Sequence, residues 1–203
     1  MKAAISVERL TPARRDDFLR FFDPEQGAAF ADNPEWAKCH CHYYHVPKAI
    51  AWNSFDATVN RTAMAARIDT AEMDGFLAYA DGDVVGWLNA QPMHKLQHCM
   101  PRIGVPPPPL DVPPYFAAAI VCFVIAPQWR RRGVARALLD AALSSFAARG
   151  IRVVDAFPFK AGASTTPSDH YHGPPSLFRE AGFAVLSDHK NVTVMRKRLA
   201  LPH

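Results

Sequence analysis

Three consecutive arginines, Arg130, Arg131 and Arg132, stand directly before Gly133, Val134 and Ala135. The first amides of a helix have no partner inside it and carry partial positive charge, so a helix start binds phosphate. The small side chains at Gly133 and Ala135 let an anion approach the backbone, and the arginines add charge. The chemistry predicted here is capture of a phosphate-bearing ligand, of a kind these residues alone do not specify.

A second set lies in Asp169-His170-Tyr171-His172-Gly173-Pro174. His170 and His172 could serve as bases near neutral pH, and Tyr171 as an acid. Asp155, in a strand otherwise apolar, is a further candidate. Each of the four reads equally as a polar loop or strand-end residue.

The third set is Cys39-His40-Cys41-His42-Tyr43-Tyr44-His45. Thiolates and imidazoles suit zinc, but a Cys-x-Cys pair with adjacent histidines departs from the usual separation. On a helix Cys41 and His45 share a face, and so do Cys39 and His42, which supplies two ligands rather than four. No metal site is predicted. Trp36, Tyr43, Tyr44 and Trp52 fit the wall of a pocket and equally a core. Cys122 sits inside an apolar strand with no charge to lower its pKa, so it reads as a small buried hydrophobe rather than a nucleophile.

The elements that must position these residues follow from pattern. Residues 3–10 read as an opening strand, and Thr11-Pro12 as the start of a helix with Phe18, Leu19, Phe21 and Phe22 on its apolar side. Asp32-Asn33-Pro34-Glu35 is a second helix start, leading into the cysteine–histidine segment. A third helical stretch covers 59–73. Two strands, 75–80 and 84–89, flank Asp81-Gly82-Asp83 as a hairpin. Residues 92–114 hold much of the proline and read as an ordered, semi-rigid insert, either a lid or a passive surface excursion. Residues 117–125 form an apolar strand buried on both faces, 133–149 a helix ended by Gly150, and 151–157 another strand. A short helix over 176–181 and a final strand pair, 183–186 with 191–198, complete a mixed α/β order.

The chain of 203 residues is long enough for one domain, at 49% hydrophobic and 21% charged residues. A net charge of +4 favours anionic ligands weakly, and a single tight basic cluster does not predict nucleic-acid binding. The longest apolar run, 115–127, is shorter than the roughly 20 residues that span a membrane, so no membrane partner is predicted. No export signal opens the chain, which makes the cytoplasm the expected location and reduced thiols the expected state of its cysteines.

Arg130-x-x-Gly133-x-Ala135 resembles the pyrophosphate motif of the GNAT N-acetyltransferases, and Leu177-Phe178-Arg179-Glu180-Ala181-Gly182-Phe183 resembles a second segment of that family. The hairpin matches the family's second and third strands. This resemblance covers nearly the whole chain. It implies one domain over 1–203 with the insert at 92–114, and a mixed central sheet of about six to seven strands flanked by helices. It implies acetyl-CoA as co-substrate and an amine of a small molecule or peptide as acceptor, with direct transfer between them; a homodimer is compatible. Backbone of Phe123, Val124 and Ile125 would pair with the pantetheine arm, and Arg130 to Ala135 would hold the pyrophosphate. The chain departs from the family where a glutamate base and a tyrosine acid often stand, with Ala119 and Phe178 at those places. The departures leave a non-catalytic coenzyme A-binding sensor as the alternative.

Overall fold

The computed structural model describes residues 4–160 and 171–200. Its strands are Ser6–Arg9 (β1), Phe76–Ala80 (β2), Asp83–Pro92 (β3), Ala117–Ile125 (β4), Val153–Ala156 (β5), Ala184–Asp188 (β6) and Thr193–Arg198 (β7). They form one seven-stranded sheet in the order β1-β2-β3-β4-β5-β7-β6, antiparallel except for the parallel pair β4–β5. The α-helices are Arg15–Phe21 (α1), Pro34–Ala37 (α2), Ala57–Asp69 (α3), Cys99–Ile103 (α4), Val134–Ala148 (α5) and Pro175–Glu180 (α6). The mixed α/β order read from the sequence pattern and the mixed sheet flanked by helices implied by the resemblance are therefore both present.

Apolar periodicity decides which side each helix covers. Phe18 of α1 and Phe22, just beyond its end, join Met64 and Ile68 of α3 on one face of the sheet. Leu138, Ala142 and Phe146 of α5 repeat every four residues and pack on the other, against Phe76 and Ile120. Fully burying side chains of this size is worth roughly 1.5–3 kcal/mol each, so these two layers hold the sheet. The predicted hairpin is present, with Ala80 paired to Asp83 across the two-residue turn Asp81-Gly82.

One irregularity in β4 matters for everything that follows. Asn89 pairs with Cys122 while Ala90 pairs with Ile120, so Val121 is an extra residue in the ladder. Such a bulge puts two successive side chains on one face. Val121 and Cys122 accordingly both join the α1/α3 side, and Phe123 turns to the α5 side. The pairing of β4 with β5 ends at Ile120–Ala156, next to the bulge, and β4 runs on to Ile125 paired with β3 but no longer with β5.

Two expectations are corrected. The start signal at Asp32 to Glu35 opens only the four residues of α2. His40 and Cys41 then take left-handed backbone, at φ 45 and 58, and a 3-10 turn covers His42–His45. No continuous helix crosses the cysteine–histidine segment, so the shared faces expected for Cys41 with His45 and Cys39 with His42 do not exist. The proline-rich insert is partly helical, holding α4 and 3-10 turns at Met93–Lys95 and Pro114–Phe116. Arg102 ties it down, donating to the carbonyls of Val46 (3.0 Å), Pro47 (2.8 Å) and Ile50 (2.9 Å).

Candidate functional site

The open end of β4, the start of α5 and the chain from Tyr171 to Pro174 enclose a cavity of about 660 Å³. At one end stands Gly133, the N-cap of α5, at φ 89. That left-handed conformation is one only glycine takes readily, and nothing lies within 4 Å of where a Cβ would be. The bare helix start thus faces open space, as an anion cradle requires. Ala135 and Val134 line the same space, Val134 being almost fully buried.

The three arginines divide. Arg130 grips Asp32 with both terminal nitrogens, at 2.5 and 3.0 Å, and its Nε donates to the Ile125 carbonyl at 3.3 Å. Its hydrogen bonds hold the Asp32 carboxyl below the usual carboxylate range. Arg130 is thus a brace as well as part of the wall. Arg131, exposed and at φ 61, lines the cavity. Arg132 lies over the Trp129 ring at 5.3 Å and does not line it. Arg136, in the first turn of α5, does line it and was missed by the sequence reading. Its position three residues beyond Gly133 was the available signal.

Phe123 and Ile125 turn their backbone toward the side that β5 has left. The Phe123 N–H donates to the Tyr171 carbonyl at 2.5 Å, and the Ile125 carbonyl accepts from Arg130. Val124 pairs with Trp87 of β3. Gly173, at φ 77, lets this chain pass close, since a Cβ there would sit 3.2 Å from the rings of both Phe123 and Phe178. Phe178, where the family often has a tyrosine, is fully buried against Phe123 and Phe183. Ala119 is buried in the core.

A second cavity, of about 330 Å³, is lined by Cys122 of β4 and shares Phe30 and Tyr171 with the first. Trp36, Tyr43, Tyr44 and Trp52 form its walls, and Cys39, Cys41 and Cys122 also line it. The bulge is what turns Cys122 toward it. The Cys122 thiol is raised well above the ordinary cysteine range, by its hydrogen bond with the Cys41 thiol and then by burial, consistent with an inert lining residue.

The four catalytic candidates separate. Tyr171 lines both cavities. His170 lies outside the described residues. His172 is buried: its Nδ1 is 2.6 Å from the Phe157 carbonyl and its Nε2 is 2.9 Å from the Tyr44 hydroxyl. The carbonyl can only accept, so Nδ1 carries the proton and Nε2 accepts from Tyr44. Burial lowers the His172 pKa to about 4, so the ring is neutral at pH 7, and it does not itself line the second cavity but bonds to Tyr44, which does. Asp155 lines neither cavity. Its carboxylate, fully buried, takes two bonds from Arg196 at 2.7 and 2.8 Å. Arg196 also donates to the Pro109 carbonyl at 2.7 Å, so the pair fastens the insert to the sheet.

This placement yields a prediction. Asp155→Asn should cost about 2 kcal/mol of stability by urea unfolding, because it removes one partner of a buried ion pair. The cost falls short of that of a wholly buried pair because Arg196 keeps Pro109. Coenzyme A affinity should be unchanged; lost ligand binding at unchanged stability would place Asp155 in the site instead.

In the cysteine–histidine segment, His42 Nδ1 is 2.8 Å from Asn60 Oδ1 and His45 Nε2 is 3.3 Å from Gln91 Nε2. Asn89 Nδ2 donates to Cys41 Sγ at 3.3 Å. Among the described residues no three His, Cys, Asp or Glu side chains are grouped to hold a metal ion. No helix among them is long and apolar enough to cross a membrane.

The sequence profile of the acetyltransferase (GNAT) family matches residues 44–172. No curated protein sequence matches the chain. Solved structures share its fold at low identity. An N-acetyltransferase from Staphylococcus aureus Mu50 is 12% identical, with a TM-score of 0.56 over 98% of this chain and 100% of that one. The ribosomal-protein-S18-alanine N-acetyltransferase of Escherichia coli is 11% identical, with a TM-score of 0.52 over 98% and 97%. YncA of Salmonella typhimurium, solved with its cofactor acetyl-CoA, is 14% identical, with a TM-score of 0.53 over 97% and 95%.

Proposed function

This chain belongs to the GNAT acetyltransferase family, and on that premise we propose that it transfers the acetyl group of acetyl-CoA to an amine, directly, with both substrates bound. One observation carries the proposal. A cavity that begins at the open helix start of α5 and a separate apolar cavity share Phe30 and Tyr171 in their walls. Two substrates, one in each cavity, would have their reacting ends brought together there.

Acetyl-CoA supplies an electrophilic thioester carbonyl and a thiolate leaving group. The α5 amides from Gly133 to Arg136, with the side chains of Arg131 and Arg136, would bind the pyrophosphate. The helix start fits that group because its approach is open. Phe123 and Ile125 would border the pantetheine arm, whose seating has to accommodate the existing bond from Phe123 to Tyr171. In transfer, the amine nitrogen bonds to the acyl carbon as the carbon–sulfur bond breaks, and a proton moves in net from nitrogen to sulfur. Tyr171, at the meeting point, is the group proposed to deliver that proton. Tyr44 is held donating to His172, which leaves its oxygen lone pairs to accept from the incoming amine. His172 is thus a positioning residue rather than a base.

At a concentration a hundredfold above its dissociation constant, acetyl-CoA should stabilise the protein by about 2.7 kcal/mol. For a domain of this size that raises the melting temperature by roughly 5–10 °C. The same protein should release thiol from acetyl-CoA when an acceptor amine is added. Stabilisation without thiol release over a broad amine panel would favour the sensor alternative, and no stabilisation at millimolar acetyl-CoA would refute both.

A further inference from the structure

We propose that the second cavity takes a small amine carrying one aromatic ring, and that Trp36, Tyr43 and Trp52 choose the acceptor by recognising that ring. The inference rests on the acetyltransferase reading and names the class of its second substrate.

The first ground is incomplete burial. Phe18, Phe22 and Trp87 are sealed in the core at 0% exposure, so this fold can hide large rings. Trp36, Tyr43, Trp52 and Tyr171 are instead only half-buried, and all four line one concavity. Large apolar surface gathered around an opening, rather than scattered singly, marks a place where a ligand completes the packing.

Ring geometry is the second ground. Tyr43 and Trp52 meet edge to face at 5.2 Å and 89°. Trp36 and Tyr171 do the same at 5.4 Å and 72°. Near-perpendicular pairs present both a ring face and a ring edge to the space between them, the two surfaces an aromatic guest uses. The thiols of Cys39, Cys41 and Cys122 complete the lining with soft, polarisable atoms that suit ring contact.

Charge and size narrow the class. Glu35 and Lys38, the charged residues among those lining the cavity, are both exposed and pair with each other at 3.7 Å. The pair offers little net charge to a polyamine or a carboxylate-bearing acceptor. A volume of about 330 Å³ is near the lower bound for small-ligand sites, roughly 300 Å³, and suits one ring with a short amine arm rather than a peptide. The wall is also held in place before any ligand arrives. Arg102 lies over the Tyr43 ring at 4.9 Å while it grips the carbonyls of Val46, Pro47 and Ile50. A ring seated here would direct its amine toward Tyr171, where the two cavities meet.

The test uses the full chain saturated with acetyl-CoA and compares 2-phenylethylamine with n-hexylamine, spermidine and an alanine-terminated tripeptide. The expected kcat/KM for 2-phenylethylamine exceeds that for n-hexylamine at least about tenfold, as two or three ring contacts predict. Tyr43→Leu and Trp52→Leu should erase that preference while retaining coenzyme A affinity and the melting temperature. Calorimetry of 2-phenylethylamine binding to the coenzyme A-loaded protein gives a readout independent of turnover. Equal or better use of n-hexylamine, spermidine or the tripeptide overturns the inference and leaves acetyl transfer standing. So does a preference that survives both substitutions. Binding of 2-phenylethylamine that Trp52→Leu abolishes, without turnover of any amine, supports the pocket and overturns acetyl transfer. Neither binding nor turnover overturns both.

Discussion

Gly133→Glu is expected to weaken coenzyme A binding at least about a hundredfold, because it disturbs two or three charge-assisted bonds worth roughly 1.5–3 kcal/mol each. The new carboxylate would project into the open space at the start of α5, where a Cβ has nothing within 4 Å. There it fills the approach to the amides and sets like charge beside the phosphates. The substitution also has a cost unrelated to ligand. Gly133 sits at φ 89, so any side chain there strains the backbone by about 1–2 kcal/mol. Gly133→Ala carries the same strain without the charge and is the matched control. Both variants should melt at similar, lowered temperatures, and the glutamate should lose far more affinity by calorimetry than the alanine. A folded Gly133→Glu protein that binds coenzyme A as tightly as the parent would move the phosphate site elsewhere and take the proposed function with it.

Stability should fall steeply as pH drops from about 6.5 to 4, before most carboxylates titrate. His172 and His45 have folded pKa values lowered to about 4 and about 3, both chiefly by burial. In that window the unfolded chain takes up protons that the folded chain refuses, so protonation favours unfolding. The loss begins below the unfolded value of 6.5 and stops growing for each group below its folded pKa. At about 1.4 kcal/mol per pH unit, His172 alone accounts for roughly 3 kcal/mol. Urea unfolding at a series of pH values should show this slope. His172→Gln should flatten it, since glutamine does not titrate, although the variant starts from lower stability through its altered bonds to Phe157 and Tyr44. A parent protein equally stable at pH 7 and pH 4.5 would mean that neither ring is as buried as the structure has it.

The same histidines show how far the amino-acid sequence reaches. As letters, His170, His172 and the histidines of the 39–45 segment are interchangeable neutral-pH bases. Burial and partner distinguish them, and both come from residues far away in the chain. His172 meets Tyr44, 128 positions away, and Phe157. Asp155 reads as an odd charge in an apolar strand until β7 brings Arg196 beside it. Arg130 to Arg132 read as one basic cluster until Asp32, 98 positions away, engages Arg130 and the Trp129 ring takes Arg132, while Arg130, Arg131 and the unforeseen Arg136 line the cavity.

What the amino-acid sequence determined by itself is what depends on neighbours a few residues apart. Apolar spacing placed α5, the continuous run from Ala117 to Ile125 marked β4, Asp81-Gly82 set the hairpin, and Gly133 marked the open start of α5. Period and turn chemistry are local, so they survive without the fold. Tertiary structure alone decided the bulge at Val121, which exists only as a mismatch between β3 and β4 and leaves an unbroken apolar run looking regular. It also decided the left-handed turn at His40 and Cys41, where the chain gives up a helix in favour of non-local packing. That turn carries Tyr43 and Tyr44 to the second cavity, and the bulge turns Cys122 to face them, because which face a side chain takes depends on pairings the sequence pattern does not encode.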